Sequence, residues 1–372
     1  MRAFLLTALL VTAGISALLA QSRAAALDIY YIDTEGGQST LFVSPSGESL
    51  LVDTGNAGDR DLGRIVDTLK VAGVKQIDHM WTTHYHGDHV GSLLALAKQV
   101  PIMHFYDHGK PHPNDRIVSA AFLTSYEELS QGKRTVVKPG DKVKMSGLDI
   151  TAVASANQFI KSNLPGGGRP NAACSGVQKK DESAYMDPDN GESAGLVLTY
   201  GKFRTVDLGD LTWNGELELM CPTNRIGSVD LYLTSHHGLA KSGSPALVQG
   251  LQPRVVVMNN GTRKGGEPET FKTLHELLGL EDLWQLHWSY NVGLENTPAT
   301  FIANIEDNAT LAAVLAPPPQ APGARGGPGG PGGFGGAAHS PAYLIKISAQ
   351  QDGTFTVTNT RNGFSKTYRG RP

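Results

Sequence analysis

The sequence predicts a four-layer α/β sandwich, two β-sheets packed face to face with helices on the outer sides. Three observations carry that prediction. From Leu27 onward, short apolar runs alternate with stretches of helical period, the mark of layered α/β architecture. The pattern occurs twice, before and after a loop-rich stretch at about 157–192. Several of the apolar runs also end in aspartate or histidine, so the strand ends rather than the strands carry the chemistry.

In the first half, Ile29 to Ile32 and Ser39 to Val43 read as strands joined by the Gly36-Gly37 turn, and Ser49 to Val52 is a third strand running into Asp53. Arg60 to Ala72 places Leu62, Ile65, Val66 and Leu69 on one face of an amphipathic helix. Ile77 to Thr83 is a short buried strand, Val90 to Lys98 a helix, Val100 to Phe105 a strand and Val118 to Leu129 a further helix. Lys142 to Val153 forms a hairpin around Ser146-Gly147. Residues 157–192, rich in Gly, Pro, Asn, Lys and Asp, are an insertion of loop character.

The second half starts with Gly195 to Tyr200, turns at Gly201-Lys202 and continues from Phe203 to Leu208, ending at Gly209-Asp210. Val229 to Thr234 leads into Ser235-His236-His237-Gly238, and Arg254 to Met258 into Asn259-Asn260-Gly261. Pro268 to Leu278 reads as a helix. A Gly/Pro-rich tract at about 316–338 has too little apolar content to pack and is expected to be disordered. Ala342 to Ile347 and Thr354 to Val357 are strand-like again, so the tract is a surface loop inside a single domain covering 27–372.

Residues 1–26 read as a secretory signal: Arg2, an apolar or small run from Ala3 to Ala20, and small residues up to Ala26. No later stretch is apolar enough to cross a bilayer. A secreted or periplasmic protein is expected, with no membrane span once the signal is removed. In such a compartment Cys174 and Cys221, the only two cysteines, could form one disulfide, a pairing that their spacing leaves open. The net charge of −3 argues against a stable nucleic-acid partner. The expected partner is a substrate, either a small molecule or a phosphodiester.

The most informative stretch is His84-Tyr85-His86-Gly87-Asp88-His89. Twelve histidines in 372 residues would produce such a pattern by chance in about one sequence in a thousand. Single histidines are usually hydrogen-bonded core residues. Three imidazoles and a carboxylate within six residues are a ligand set for Zn²⁺, and also for Mn²⁺ or Fe²⁺. The cluster sits between a strand and a helix, so Asp88 and His89 project differently from His84 and His86 and allow two neighbouring metal positions. Asp210 and His236 also end strands and are the candidate further ligands. His237 competes with His236, or instead donates a proton to a leaving group. Asp53 is placed to accept an imidazole N–H and hold a ligand histidine in its tautomer, although a plain turn aspartate fits the local sequence equally well.

With these motifs in hand, the chain resembles the metallo-β-lactamase fold superfamily from about Leu27 to its end, and within it the secreted hydrolase-like domain of ComEC-type competence proteins. Leu27 to Asp33, Gly36-Gly37-Gln38-Ser39, Leu51-Val52-Asp53-Thr54-Gly55 and His236-His237-Gly238 carry the likeness. The resemblance implies the αββα sandwich, a bridging role for Asp210 and hydrolysis by a metal-bound hydroxide, with Asp88 orienting that hydroxide. It also exposes a departure. Most members have another histidine upstream of the Asp210 motif, whereas 190–195 here reads Asn-Gly-Glu-Ser-Ala-Gly. Asn190, Glu192 or a water is then left to fill the gap, and one metal is expected to bind tightly and the other loosely.

The leading expectation is an extracytoplasmic metal-dependent hydrolase, possessing the phosphodiester preference that the ComEC likeness implies. A β-lactam, lactone or other ester or amide hydrolase is the alternative, weakened by the missing histidine. A non-catalytic ligand-binding member of the fold is the third reading. Asn260 and Lys264, just beyond a strand end, are candidates for contact with substrate. The aromatic run Leu283 to Trp288 is explained better by packing over a sheet than by a substrate rim.

Overall fold

A computed structural model describes residues 26–293, 295–306 and 342–371. The expected signal segment and the Gly/Pro-rich tract therefore fall almost wholly outside the described residues. The first half comprises β1 (Leu27–Tyr31), β2 (Thr40–Val43), β3 (Ser49–Val52), α1 (Asp59–Ala72), β4 (His79–Trp81), α2 (Gly87–Val90), α3 (Leu93–Leu96), β5 (Phe105–Asp107), α4 (Ala120–Ser130) and β6 (Arg134–Val136). Next come the hairpin β7 (Lys142–Met145) and β8 (Leu148–Ser155), then β9 (Gln158–Phe159) and β10 (Arg169–Pro170) within the insertion. The second half is β11 (Gly195–Tyr200), β12 (Phe203–Asp207), α5 (Trp213–Met220), β13 (Thr223–Asn224), β14 (Leu231–Leu233), α6 (Pro245–Leu251), β15 (Val255–Met258), α7 (Pro268–His275), β16 (Asp282–His287) and β17 (Ile302–Asn304). The chain closes with β18 (Ile345–Ala349), β19 (Phe355–Asn359) and β20 (Ser365–Tyr368).

Two large mixed sheets result. One runs β20-β19-β18-β1-β2-β3-β4-β5-β6 and the other β17-β16-β15-β14-β12-β11-β8-β7. Their apolar faces meet in one core, where Ile29, Phe42, Trp81 and Ile347 of the first sheet pack with Leu196, Leu231, Val255 and Trp284 of the second. A second core lies between the first sheet and α1, α3 and α4, a third between the second sheet and α5, α6 and α7. Three apolar seams separate four layers, which is the sandwich the sequence predicts. Trp81 ties the sheets together further by donating its indole N–H to the Ala194 carbonyl at 2.7 Å.

Two local expectations shift. The helix expected over Val90 to Lys98 is broken into α2 and α3. The reason is at Gly91, where a Cβ would lie 2.1 Å from the Ala57 nitrogen and 2.3 Å from the Gly87 oxygen. The loop after β3 docks there, with the Gly91 N–H donating to the Gly55 carbonyl at 2.8 Å, and tertiary contact overrides helical period. The strand expected at Val100 to Phe105 starts only at Phe105. Val100 and Ile102 instead back the helices, touching the first sheet through an isolated bridge between Ile77 and Ile102.

The insertion is anchored as well as looped. Cys174 and Cys221 are joined in a disulfide, which pins a 3-10 turn at Ala172–Gly176 to the end of α5.

β3, β4, β5 and β6 run parallel, as do β12, β14, β15, β16 and β17. In such sheets the residues just past the carboxyl ends of the strands converge on a crevice. Asp53, His84, Asp210, His236 and Asn259 all occupy that place.

Candidate metal centre

Those strand ends bring the residues singled out above into one buried cluster. Asp88, His89, Asp210 and His237 each offer a ligand atom within 4.8 Å of all the others. The Asp210 Oδ2 atom is the hub, lying 3.2 Å from His89 Nε2, 3.3 Å from His236 Nε2, 3.4 Å from His237 Nε2 and 3.9 Å from His84 Nε2. His84 Nε2 in turn faces His86 Nδ1 at 3.0 Å. Asp88 Oδ2 lies 3.3 Å from His237 Nε2 and 3.5 Å from His89 Nε2, and it is ion-paired to Lys264.

The outer nitrogens of these rings are committed elsewhere, which fixes what the inner ones present. His89 Nδ1 is 2.7 Å from Asp53 Oδ2, and His86 Nε2 is 3.0 Å from Asp115 Oδ2. The Thr83 hydroxyl donates to Asp53 at 2.6 Å, so its oxygen accepts from His84 Nδ1 at 3.1 Å. The Ser242 hydroxyl likewise donates to the Leu211 carbonyl and accepts from His236 Nδ1 at 3.3 Å. A ring that gives its one proton outward turns a bare lone pair inward. The Asn259 amide, 3.1 Å from His237 Nδ1, holds the remaining ring.

Electrostatics run the same way. Burial pushes the Asp210 carboxyl up, but His236, His237 and His89 outweigh it and hold it well below the usual carboxylate range. Asp88 behaves alike: burial is overcome by Lys264, His89 and His237. Burial, reinforced by His89 and His86, holds His84 well below its ordinary value, and burial lowers His236 to about 4. For His89 burial is overcome by the carboxylates of Asp210, Asp88 and Asp53, so its pKa is raised well above the ordinary value. Two ionised carboxylates crowded by inward-facing imidazoles hold a deficit of positive charge, and a proton at His89 meets it only in part.

The fit to a divalent cation is tested by the unpaired atoms. Asp210 Oδ1 and Asn190 Oδ1 are buried with no hydrogen-bond partner among the described residues. Buried polar atoms are rarely left so unless something else is bound. Imidazole and carboxylate are the donors that suit Zn²⁺, Mn²⁺ and Fe²⁺, and the residues present fit such ions.

The turn delivering Asp210 depends on Gly209. Its φ is 55°, and a Cβ there would lie 2.6 Å from that of Thr83. The Gly209 N–H donates to Asp207, which also accepts from the Gln38 side chain. His236 and His237 both adopt left-handed backbone, at φ 54° and 56°. His237, the competitor of His236 in the sequence, joins Asp88, His89 and Asp210, and His236 Nε2 also reaches Asp210 Oδ2 at 3.3 Å. Their order reflects the left-handed turn, which local sequence does not encode.

Asn190 lies 3.4 Å from His236 Nε2. Glu192, half-buried, instead lines a neighbouring cavity of about 490 Å³ with His112, Tyr185, Thr212 and Asn214, and burial raises its pKa. Asn260 turns away from the cluster and donates to the carbonyls of Gly261 and His287. Thr83, Asp115, Asp189 and Ser242 escaped sequence reasoning. Asp115 orients His86, and Asp189 accepts from the backbone N–H groups of Tyr85 and His112. Both act across loops distant in sequence, and no local pattern marks them.

Comparison with known proteins gives the following likenesses. The family model described as "Metallo-beta-lactamase superfamily" matches residues 33–151, which include His84, His86, Asp88 and His89. The chain is 22% identical over 228 residues to "Competence protein ComA" of Neisseria gonorrhoeae, covering 61% of this chain and 26% of that protein. It is 24% identical over 246 residues to a "UPF0173 metal-dependent hydrolase" of Cupriavidus metallidurans, covering 64% and 76%. The chain thus spans about a quarter of the competence protein's length. Among solved structures it is similar to "CmlA, a diiron beta-hydroxylase from Streptomyces venezuelae", with a TM-score of 0.37 at 12% identity over 63% of this chain and 44% of that one.

Proposed function

The chain carries a metallo-beta-lactamase superfamily domain, and from that premise we propose that it is a metal-dependent hydrolase working outside the cytoplasm on an anionic substrate of the phosphodiester type. The observation that carries the reading is the convergence of Asp88, His89, Asp210 and His237 within 4.8 Å in a buried pocket. A divalent cation bound there supplies Lewis acidity, polarising the scissile group and lowering the pKa of water. The protein's own groups do the rest.

Access is set by exposure. The side chains of His84, His89 and His237 are sealed from solvent, whereas those of Asp88 and Lys264 are 18% and 22% exposed. Substrate and water therefore approach past these two. The Lys264 ammonium stands at that entrance as the donor for an anionic oxygen, the feature that favours a phosphodiester over a neutral ester. Asp88, held ionised by Lys264 and the two histidines, orients the attacking water. The Cys174–Cys221 disulfide supports an oxidising compartment. No helix among the described residues is long and apolar enough to cross a membrane.

The test is turnover of bis(p-nitrophenyl) phosphate, a phosphomonoester, nitrocefin and a lactone by metal-loaded protein, with His86→Ala as control. Phosphodiester cleavage that chelation and His86→Ala both abolish is expected. Cleavage of nitrocefin or lactone alone would overturn the substrate assignment, and inactivity across all four would overturn the hydrolase.

A further inference from the structure

We infer that the gap left by the absent upstream histidine is filled from the opposite half of the chain: His236, with the Asn190 amide beside it, completes a first cation position together with His84, His86 and Asp210. This rests on the reading of the cluster as a metal centre and says which side chains hold the first of two ions.

The backbone is the first observation. Successive residues of a strand point to opposite faces, and in a helix they diverge by about 100°. Neither geometry aims two neighbouring rings at one oxygen. At His236 and His237, φ/ψ values of 54°/40° and 56°/14° bend the chain through two left-handed residues, a conformation that costs a non-glycine residue of order 1–2 kcal/mol. The result is that both Nε2 atoms reach Asp210 Oδ2, at 3.3 and 3.4 Å, with the ring planes 72° apart. Strain of this kind persists where function requires it.

The second observation is the hydrogen inventory. Ser242 has spent its proton on Leu211, so it takes the Nδ1 hydrogen of His236, and the Nε2 lone pair faces the Asp210 carboxylate. His84 Nε2 and His86 Nδ1 share a hydrogen bond at 3.0 Å, and a cation bound there would take the place of its proton. The third is Asn190. It is 1% exposed, its Oδ1 has no hydrogen-bond partner among the described residues, and its amide reaches His236 Nε2 at 3.4 Å. Exchanging the amide's O and N, which are near-equivalent in shape, turns an oxygen ligand toward the same point. Two cation positions then share Asp210: one with His84, His86, His236 and Asn190, the other with Asp88, His89 and His237. On this inference both positions would be filled, where counting upstream histidines leads to one tight and one loose ion.

The experiment uses the full chain, stripped by chelation and reloaded with Co²⁺, followed by equilibrium dialysis, elemental analysis and the visible d–d spectrum. Wild type is expected to hold two ions. His236→Gln should lose one of them, with affinity at that position down by more than the roughly 100-fold typical when only an orienting group is removed. His237→Gln should lose the other, leaving a different residual spectrum. Asn190→Ala should weaken the His236-dependent ion alone. Circular dichroism of each stripped variant checks folding, and His236→Asn replaces His236→Gln should the latter not fold. Two ions retained by the His236 variant within about tenfold of wild-type affinity and with an unchanged spectrum, or a single ion in wild type, would overturn the inference. Binding is read without turnover, so a chain that holds both ions but cleaves nothing would sink the hydrolase reading and leave this one standing.

Discussion

The Asp53 carboxylate lies 2.7 Å from Nδ1 of His89, with neither side chain reaching solvent. Asp53 also accepts from the Thr83 backbone and hydroxyl at 2.8 and 2.6 Å, so its position is fixed from three directions. Replacing it by asparagine keeps the shape but offers His89 a weaker, neutral partner. Affinity for the ion held by Asp88, His89 and His237 is expected to fall by about 10- to 100-fold, read by competition with a chromophoric chelator. Unchanged affinity would mean that Asp53 only caps its turn.

Ion binding to this centre is linked to folding, because an unfolded chain does not preassemble ligands from both halves. At free ion about 100-fold above its dissociation constant, each site adds roughly 2.7 kcal/mol of stability. For a chain of this size that raises the melting temperature by about 3–4 °C per site. Scanning fluorimetry with and without chelator checks it, and coincident transitions would speak against a bound cation.

Removal of the entrance ammonium separates binding from chemistry. Lys264→Met deletes a charged hydrogen-bond donor worth roughly 1.5–3 kcal/mol. The KM for a phosphodiester should rise about 10- to 100-fold, with a much smaller change in kcat. The wild-type KM should climb with ionic strength and that of the variant should stay flat. A loss confined to kcat would place Lys264 in the chemical step instead.

A pH effect arises away from the metal ligands. Glu216 is fully buried on α5, and desolvation raises its pKa to about 7 despite backbone N–H donations from Gly243 and Ser244. A carboxyl raised in the folded state binds more protons there than in the unfolded chain. Its contribution is fully present below about pH 4.5 and is lost as pH rises toward 7, about 3 kcal/mol in all at 1.36 kcal/mol per unit. Chemical denaturation of metal-stripped protein across that window should show the slope, and Glu216→Gln should flatten it. An identical slope in the variant would assign the effect to another group.

What the sequence disclosed and what it hid divide along a physical line. His84, His86, Asp88 and His89 were legible because four ligand-type residues fall within six positions, and the two sheets because strand and helix periods are local. Asp53 and Asp210 were legible as strand ends. The break at Gly91 was not, being imposed by the Gly55–Ala57 loop. Nor was Asp115, which meets His86 across 29 residues. The order of His236 and His237 depends on two left-handed dihedrals, and the Cys174–Cys221 bond on tertiary placement across 47 positions. Local period fixed the layers, while contact between distant segments set the details of the site.

The pairing of β1 with β18 has a consequence for biogenesis. Leu27 lies opposite Ala349, and β19 and β20 are added beyond β18. The opening strand finds one neighbour, β2, at once, but the other, β18, lies far along the chain, and loop closure of that span is slow. The first sheet is therefore complete only once that late hairpin has docked on β1, so a fragment ending before β18 would leave one edge of β1 unpaired.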